Sequence, residues 1–105
     1  MYSQQKIIAE CKTILQHHYG ERFAGLYLYG SMARCQDEPS SDIDLLVLFA
    51  KPFDFYKELR VIVDLLYQVQ LQSDQLISAK PVLKNEFDSG KLHFYRTIQQ
   101  DGVAA

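Results

Sequence analysis

The most constraining feature of the sequence is a short apolar run that carries two aspartates. Asp42–Phe49 reads DIDLLVLF, and a lysine–proline pair breaks the pattern at positions 51 and 52. An uninterrupted apolar run of this length, bounded by polar and turn-forming residues, predicts a buried strand. A strand of this kind must be covered by other elements, so it belongs to a sheet that packs against helices.

The segments on either side alternate between helical and strand patterns. In chain order they predict a helix that ends before Gly20, a strand over Phe23–Tyr29 buried on both faces, a brief helical turn over Ser31–Cys35, the strand over Asp42–Phe49, a helix over Phe53–Val69, an extended stretch within Asp74–Leu83, and one or two short tail helices that stop at Gly102. Pro81 is expected to mark the end of the extended stretch or a sheet edge. The order predicts one α/β (α+β) domain over residues 1–105, with a small mixed sheet flanked by helices.

Composition narrows the class of protein. The formal charge of −2 and the pI of about 5.8 argue against direct binding of nucleic acid, which normally requires a basic face. No apolar run approaches the roughly 20 residues that span a bilayer, and the first residues lack the apolar core of a signal peptide. The two cysteines, Cys11 and Cys35, are expected to be free thiols. We therefore expect a soluble, cytoplasmic protein.

The two aspartates indicate a metal site. Asp42 and Asp44 are two residues apart, so on a strand their side chains point to the same face, with Cα atoms roughly 6.5–7 Å apart. Carboxylates side by side repel each other, and a hard divalent cation such as Mg²⁺ removes the repulsion. In the alternative interpretation Asp42 caps the start of the strand and Asp44 faces solvent.

The segment before the second strand carries a candidate phosphate site. Gly30 and Ser31 follow a strand and open a helical turn, where free N–H groups and the helix dipole favour anions. Glycine allows a phosphate to approach the backbone, and the Ser31 hydroxyl can donate one more hydrogen bond. Arg34 can contact phosphate or pair with Asp37 or Glu38. By itself Ser31 could equally be an ordinary N-cap, but joined to Asp42 and Asp44 it places an anion site beside a cation site.

These residues match the signature of a family. Gly30-Ser31-Met32-Ala33-Arg34, followed by Ser41-Asp42-Ile43-Asp44-Leu45-Leu46-Val47, closely resembles the motif of the DNA polymerase β-like nucleotidyltransferases. Within this superfamily the chain resembles the minimal nucleotidyltransferases, which often act as antitoxins paired with a HEPN-domain toxin.

The resemblance implies a site and a mechanism. Asp42 and Asp44 would hold Mg²⁺, Gly30 and Ser31 would cradle the outer phosphates of ATP, and Asp74 is the candidate for the third carboxylate, normally on the next strand. Asp74 could as easily be a turn residue before that strand. Cys35 departs from the motif, because relatives usually have a glycine there.

The resemblance also implies a function. The chain would transfer AMP from ATP to a hydroxyl of a protein partner, since its length leaves no room for a domain that holds a small acceptor. The partner would be a HEPN-type toxin, in a hetero-oligomer. Two alternatives remain: a binding module that neutralises a toxin by contact, and one subunit of a two-chain small-molecule nucleotidyltransferase.

The long predicted helix leaves one further question open. One of its faces carries Tyr56 and Tyr67, and this face could be a partner surface or part of the core.

Overall fold

The computed structural model describes residues 4–29 and 42–105. Within those residues the elements are, in chain order, helix α1 (Gln4–Tyr19), a 3₁₀ turn (Gly20–Arg22), strand β1 (Phe23–Tyr29), strand β2 (Ile43–Phe49), helix α2 (Phe55–Leu71), strand β3 (Ile77–Leu83), helices α3 (Lys84–Ser89) and α4 (His93–Asp101), and strand β4 (Val103–Ala104). None of these helices combines the length and the apolar character that crossing a bilayer requires.

The strands form one mixed sheet in the order β3-β2-β1-β4. β1 pairs antiparallel with both β2 and β4, whereas β2 and β3 are parallel and are connected through α2. A parallel pair needs a crossover connection, and the long amphipathic helix supplies it. The predicted class, a small mixed sheet flanked by helices, is confirmed.

Helices cover both faces of the sheet. On one face, alternate residues of β2 pack with α1 and α2 in the larger core cluster, which includes Leu15, Leu26, Ile43, Leu45, Val47, Phe49, Ile62 and Leu66. On the other face Leu46 and Leu48 pack against Val82, Phe87 and Ile98, so α3 and α4 cover that side. Because both faces of β2 are covered, its sequence reads as a continuous apolar run.

A buried carboxylate ties α1 to α2. Glu58 is 6% exposed and accepts hydrogen bonds from the Tyr19 hydroxyl (2.9 Å) and from Arg22 Nη2 (3.1 Å). The Arg22 guanidinium also lies 5.2 Å from the centre of the Tyr19 ring. A buried charge is tolerated only with such partners, so this network fixes how the two helices meet.

The boundaries of several elements differ from the sequence predictions. α2 begins at Phe55 because Asp54 caps it, its side chain accepting a hydrogen bond from the Lys57 N–H. β1 is not buried on both faces: only Leu26 is fully buried, since β4 covers little of its far edge. Pro81 lies inside β3, on an edge strand as expected. The short strand β4 was not predicted. The expected helical turn over Ser31–Cys35 lies outside the described residues.

Candidate active site

The two aspartates stand at the start of the central strand β2. Asp44 is the second residue of β2 and is half-buried, and Asp42 lies directly before the strand and is exposed. Asp44 pairs with Tyr29 on β1 and with Ser78 on β3, so it has a strand on each side. Its neighbours Ile43 and Leu45 belong to the core under α1 and α2, which places Asp44 on the face covered by α3 and α4.

Asp44 lies in a buried strand, yet its own side chain is only half-buried. It is surrounded in sequence by apolar residues, but the side chain points to the end of the sheet face that α3 and α4 cover only in part. A half-buried carboxylate costs less than a fully buried one, since water solvates part of it. The group can therefore remain charged and reach a ligand.

Burial raises the pKa of the Asp44 carboxyl above its ordinary value of 3.8, and repulsion from Asp42 raises it further. Lys80 lowers the same pKa without overcoming the other two effects. On the neighbouring strand, burial and the charge of Asp44 raise the pKa of the Tyr29 hydroxyl. The site thus holds excess negative charge, and the ammonium group of Lys80 offsets it only in part.

This charge arrangement fits a hard divalent cation. Mg²⁺ typically takes one or two carboxylates and completes its coordination with phosphate oxygens and water, and Asp42 and Asp44 offer two carboxylates on one face. When bound, the ion would neutralise nucleotide phosphates. Among residues 4–29 and 42–105, no three acidic, histidine or cysteine side chains converge on one metal position.

The proposed third carboxylate does not lie on the next strand. Asp74 occupies the bend between α2 and β3, before the strand begins, and its side chain is exposed. The residue of β3 that pairs with Asp44 is Ser78. The structure therefore gives Asp74 the position of a residue preceding the strand, and a role in catalysis stays a prediction.

A pocket of about 340 Å³ lies beyond Asp44 on the same sheet face. Its lining includes Leu46, two residues after Asp44, together with Lys80 and Glu86. The rest of the wall is largely apolar and aromatic: Pro52, Phe53, Phe55, Pro81, Val82, Leu83, Leu92, Phe94 and Tyr95. A concave apolar site with a few charged groups is typical of small-molecule binding.

Phe94 links the pocket to the aspartates. Its ring packs edge-to-face against Tyr29, with the ring centres 5.7 Å apart, and Tyr29 pairs with Asp44 across the sheet. Phe94 is 46% exposed and lines the pocket, so part of its ring is available to a ligand. An exposed aromatic face can stack on a nucleobase, and such stacking tolerates any base.

The predicted phosphate-binding residues cannot be placed. Gly30, Ser31 and Arg34 lie outside the described residues, as does Cys35. The strand before these residues, β1, ends at Tyr29, which pairs with Asp44 near the start of β2. The roles of Gly30, Ser31 and Arg34 toward a nucleotide remain predictions.

Sequence reasoning missed Lys80, Ser78 and the aromatic wall. Lys80 is the single charged residue of β3 and occurs two positions after Ser78, so the pattern carried a weak signal that both share one face. Phe94 had no such signal, because its approach to Tyr29 depends on how α4 folds back over the sheet.

Comparisons with known proteins identify the family and support the fold. The sequence matches the family model "Polymerase beta, Nucleotidyltransferase" over residues 9–99. Among curated proteins, none has a significantly similar sequence. A Sulfolobus solfataricus protein assigned as a nucleotidyltransferase has a similar structure, with a TM-score of 0.57 and 19% identity over 96% of this chain and 80% of that chain.

A second similar structure is a toxin–antitoxin crystallised with AMP-PNP. Its TM-score is 0.52, with 17% identity over 97% of this chain and 72% of that chain. At these identities the two structures support the fold alone. The fold and the match to the family model together define a nucleotidyltransferase-type domain. The chain belongs to the polymerase beta nucleotidyltransferase family.

Proposed function

We propose that the protein binds Mg-ATP at Asp42 and Asp44 and transfers AMP from ATP to a hydroxyl group of a protein partner, with release of pyrophosphate. The observation that carries the proposal is the half-buried Asp44, close to Asp42 and on the sheet face that carries an aromatic pocket, in a chain of the polymerase beta family. Asp42 and Asp44 would hold Mg²⁺, which when bound would neutralise charge on the phosphates. Lys80 would contact phosphate oxygens, and Gly30, Ser31 and Arg34 would hold the outer phosphates.

The aromatic pocket suits the nucleobase. A volume of about 340 Å³ accommodates a base and part of a ribose, and Phe94 offers a stacking surface next to Tyr29. Placing the base there leaves the triphosphate next to Asp44 and Lys80. Nucleobase selectivity would follow from polar groups at the pocket rim, of which Glu86 is one.

The identity of the partner is inferred from similarity. The structural neighbour crystallised with AMP-PNP is a toxin–antitoxin, and the sequence resembles minimal nucleotidyltransferases that pair with HEPN-domain toxins. We propose that this protein is the antitoxin of such a pair, in the cytoplasm, and that modification of a toxin hydroxyl silences the toxin.

One observation favours a second function, nucleotide-dependent neutralisation without turnover. The β3 residue beside Asp44 is Ser78, and Asp74 lies in the bend before the strand. Among residues 4–29 and 42–105, no third carboxylate lies beside the paired aspartates to act as a base for the acceptor hydroxyl. A bound nucleotide could then stabilise a complex that inhibits by contact.

The decisive experiment mixes the protein, Mg-ATP and its co-purified partner, and then weighs the partner by mass spectrometry. Transfer predicts a gain of one AMP, which Asp42→Asn and Asp44→Asn abolish. Loss of the gain with Asp74→Asn would assign Asp74 a catalytic role. An unmodified partner that is still inhibited would refute transfer and support binding. In that case Ser78→Asp is expected to introduce measurable transfer.

A further inference from the structure

A stripe of exposed apolar side chains runs along α2. Tyr56 is 79% exposed, Val63 57%, Tyr67 59% and Leu71 68%. Their spacings of seven, four and four residues place them on one side of the helix. Leu76, which is 58% exposed, continues the apolar surface beyond the end of α2. These five residues, here called the α2 stripe, belong to the surface and not to the core.

The α2 stripe borders a groove between the helix and the edge strand β3. The groove has a volume of about 280 Å³, and its lining includes Val63, Tyr67, Gln70 and Leu76. Side chains of this size present about 150–250 Å² each, so the exposed fractions of the stripe amount to roughly 600 Å². This is at the upper end of the largest apolar patch on a typical monomer, and patches of this size mark interaction sites.

The free edge of β3 is protected against pairing with another strand. The Ile77 N–H donates to Gln70 Oε1 at 2.7 Å, and Pro81, four residues on and on the same side, has no N–H. Occupied or missing donors are one way in which proteins block edge-to-edge association. A partner at this surface is therefore expected to pack side chains against α2 and not to extend the sheet.

The charges beside the α2 stripe are divided between its two ends. Lys57 and Arg60 flank its N-terminal half, and Asp64 and Asp74 flank its C-terminal half, all four with exposed side chains. Within the described part of the chain, neither Arg60 nor Asp64 forms an ion pair. Two such helices in antiparallel orientation would bring basic and acidic halves together, whereas a parallel arrangement would juxtapose like charges.

We propose that the α2 stripe is the interface of a symmetric homodimer in which the two α2 helices pack antiparallel. A twofold axis near Val63 would place Tyr56 beside Leu71 of the second copy and Arg60 beside Asp64 of the second copy. With flanking polar residues, the stripe approaches the roughly 800 Å² per partner of a standard interface. α2 packs on the sheet face opposite Asp44, so both candidate active sites stay open.

The first test is sedimentation velocity of the purified protein across a range of concentrations. We expect a dimer that Tyr67→Arg weakens at least tenfold, because the substitution places a charge in the apolar centre. The matched control is Gln68→Arg, which adds the same charge at the adjacent exposed position, on another side of the helix. Circular dichroism checks that both variants fold. A wild-type monomer at all concentrations, or a dimer indifferent to Tyr67→Arg, refutes the proposal.

A charge exchange tests whether the occupant is a second copy. In a symmetric interface Arg60→Asp alone should weaken association, and the double variant Arg60→Asp/Asp64→Arg should restore it, because each copy then carries the reversed pair. A different partner protein would keep its own charges, so the exchange would not restore its binding. Failure of the double variant to recover association refutes the antiparallel homodimer. A wild-type protein that stays monomeric, with its α2 stripe covered only by a co-purified partner, also refutes the antiparallel homodimer.

Discussion

Replacing Asp44 with asparagine should stabilise the protein when no metal is present. The substitution preserves the shape of the side chain and removes a charge that is half-buried and repelled by Asp42. At sites selected for binding, stability is often sacrificed, so removing the functional charge increases it. The prediction therefore links stability to function at one residue.

The magnitude follows from the geometry of the strand. Unit charges at the roughly 6.5–7 Å separation of residues i and i+2 repel by about 0.6 kcal/mol in water and by about 2.5 kcal/mol at an effective dielectric constant of 20. Asp44 is half-buried and Lys80 offsets part of the repulsion, so we expect a gain of about 1 kcal/mol. For a domain of this size, that gain raises Tm by about 4 °C.

The assay is thermal unfolding with EDTA and then with Mg²⁺ and AMP-PNP. In EDTA, Asp44→Asn should unfold at the higher temperature. With Mg²⁺ and nucleotide at 100 times Kd the wild type should gain about 2.7 kcal/mol, and the variant should gain little, so their order reverses. A variant that is less stable in EDTA, or that responds equally to ligand, would refute the reasoning. Lys51→Gln, which removes a charge at an exposed position after β2, serves as the control.

The same residue predicts a pH dependence with a definite sign. The folded-state pKa of Asp44 lies above its ordinary value of 3.8, so the unfolded chain releases this proton more readily. Protonated Asp44 therefore contributes to the free energy of unfolding. This contribution is fully present below pH 3.8 and is lost as the pH rises through the folded-state pKa. The advantage of Asp44→Asn in EDTA should therefore be absent at the acidic end and grow with rising pH. A constant difference would contradict this.

Three further predictions concern the scaffold. Tyr19→Phe removes a hydrogen-bond donor to the buried Glu58 carboxylate (2.9 Å) and should lower the free energy of unfolding by about 2 kcal/mol in urea titrations. A loss below about 0.5 kcal/mol would contradict this and show that Arg22 alone satisfies the carboxylate. Gly102→Ala places a Cβ 2.6 Å from the Ile98 carbonyl oxygen and should lower the free energy of unfolding by about 2 kcal/mol. Gly20→Ala has open space around it and should lower it by about 1 kcal/mol, because of the left-handed backbone alone. Equal losses for the two variants would contradict the steric argument. Burial raises the pKa of the Cys11 thiol to about 12. In a Cys35→Ser variant, a thiol reagent at about pH 8 should therefore label Cys11 only after denaturation. Rapid labelling of the native protein would disprove the burial of Cys11.

Local patterns predicted most of the elements. The apolar run predicted β2 almost to the residue, since a strand covered on both faces is apolar at nearly every position and contrasts with the polar residues that bound it. The end of α1 before Gly20 also followed from local chemistry. β4 was missed because a two-residue strand has no period of its own and forms only by pairing with β1. The exposure of Tyr56 and Tyr67 could not be predicted, because an apolar helix face looks the same whether it is buried or not.

The sequence by itself determined the family and the paired aspartates, because both depend on residues close together in the chain. Spacing along a strand decides which side chains share a face, and no distant contact is needed to know it. Only the tertiary structure decided that Ser78, and not Asp74, lies beside Asp44, and that Lys80 and Phe94 line one pocket. These neighbours are brought together by strand register and helix packing, which arise from contacts between residues that are distant in sequence.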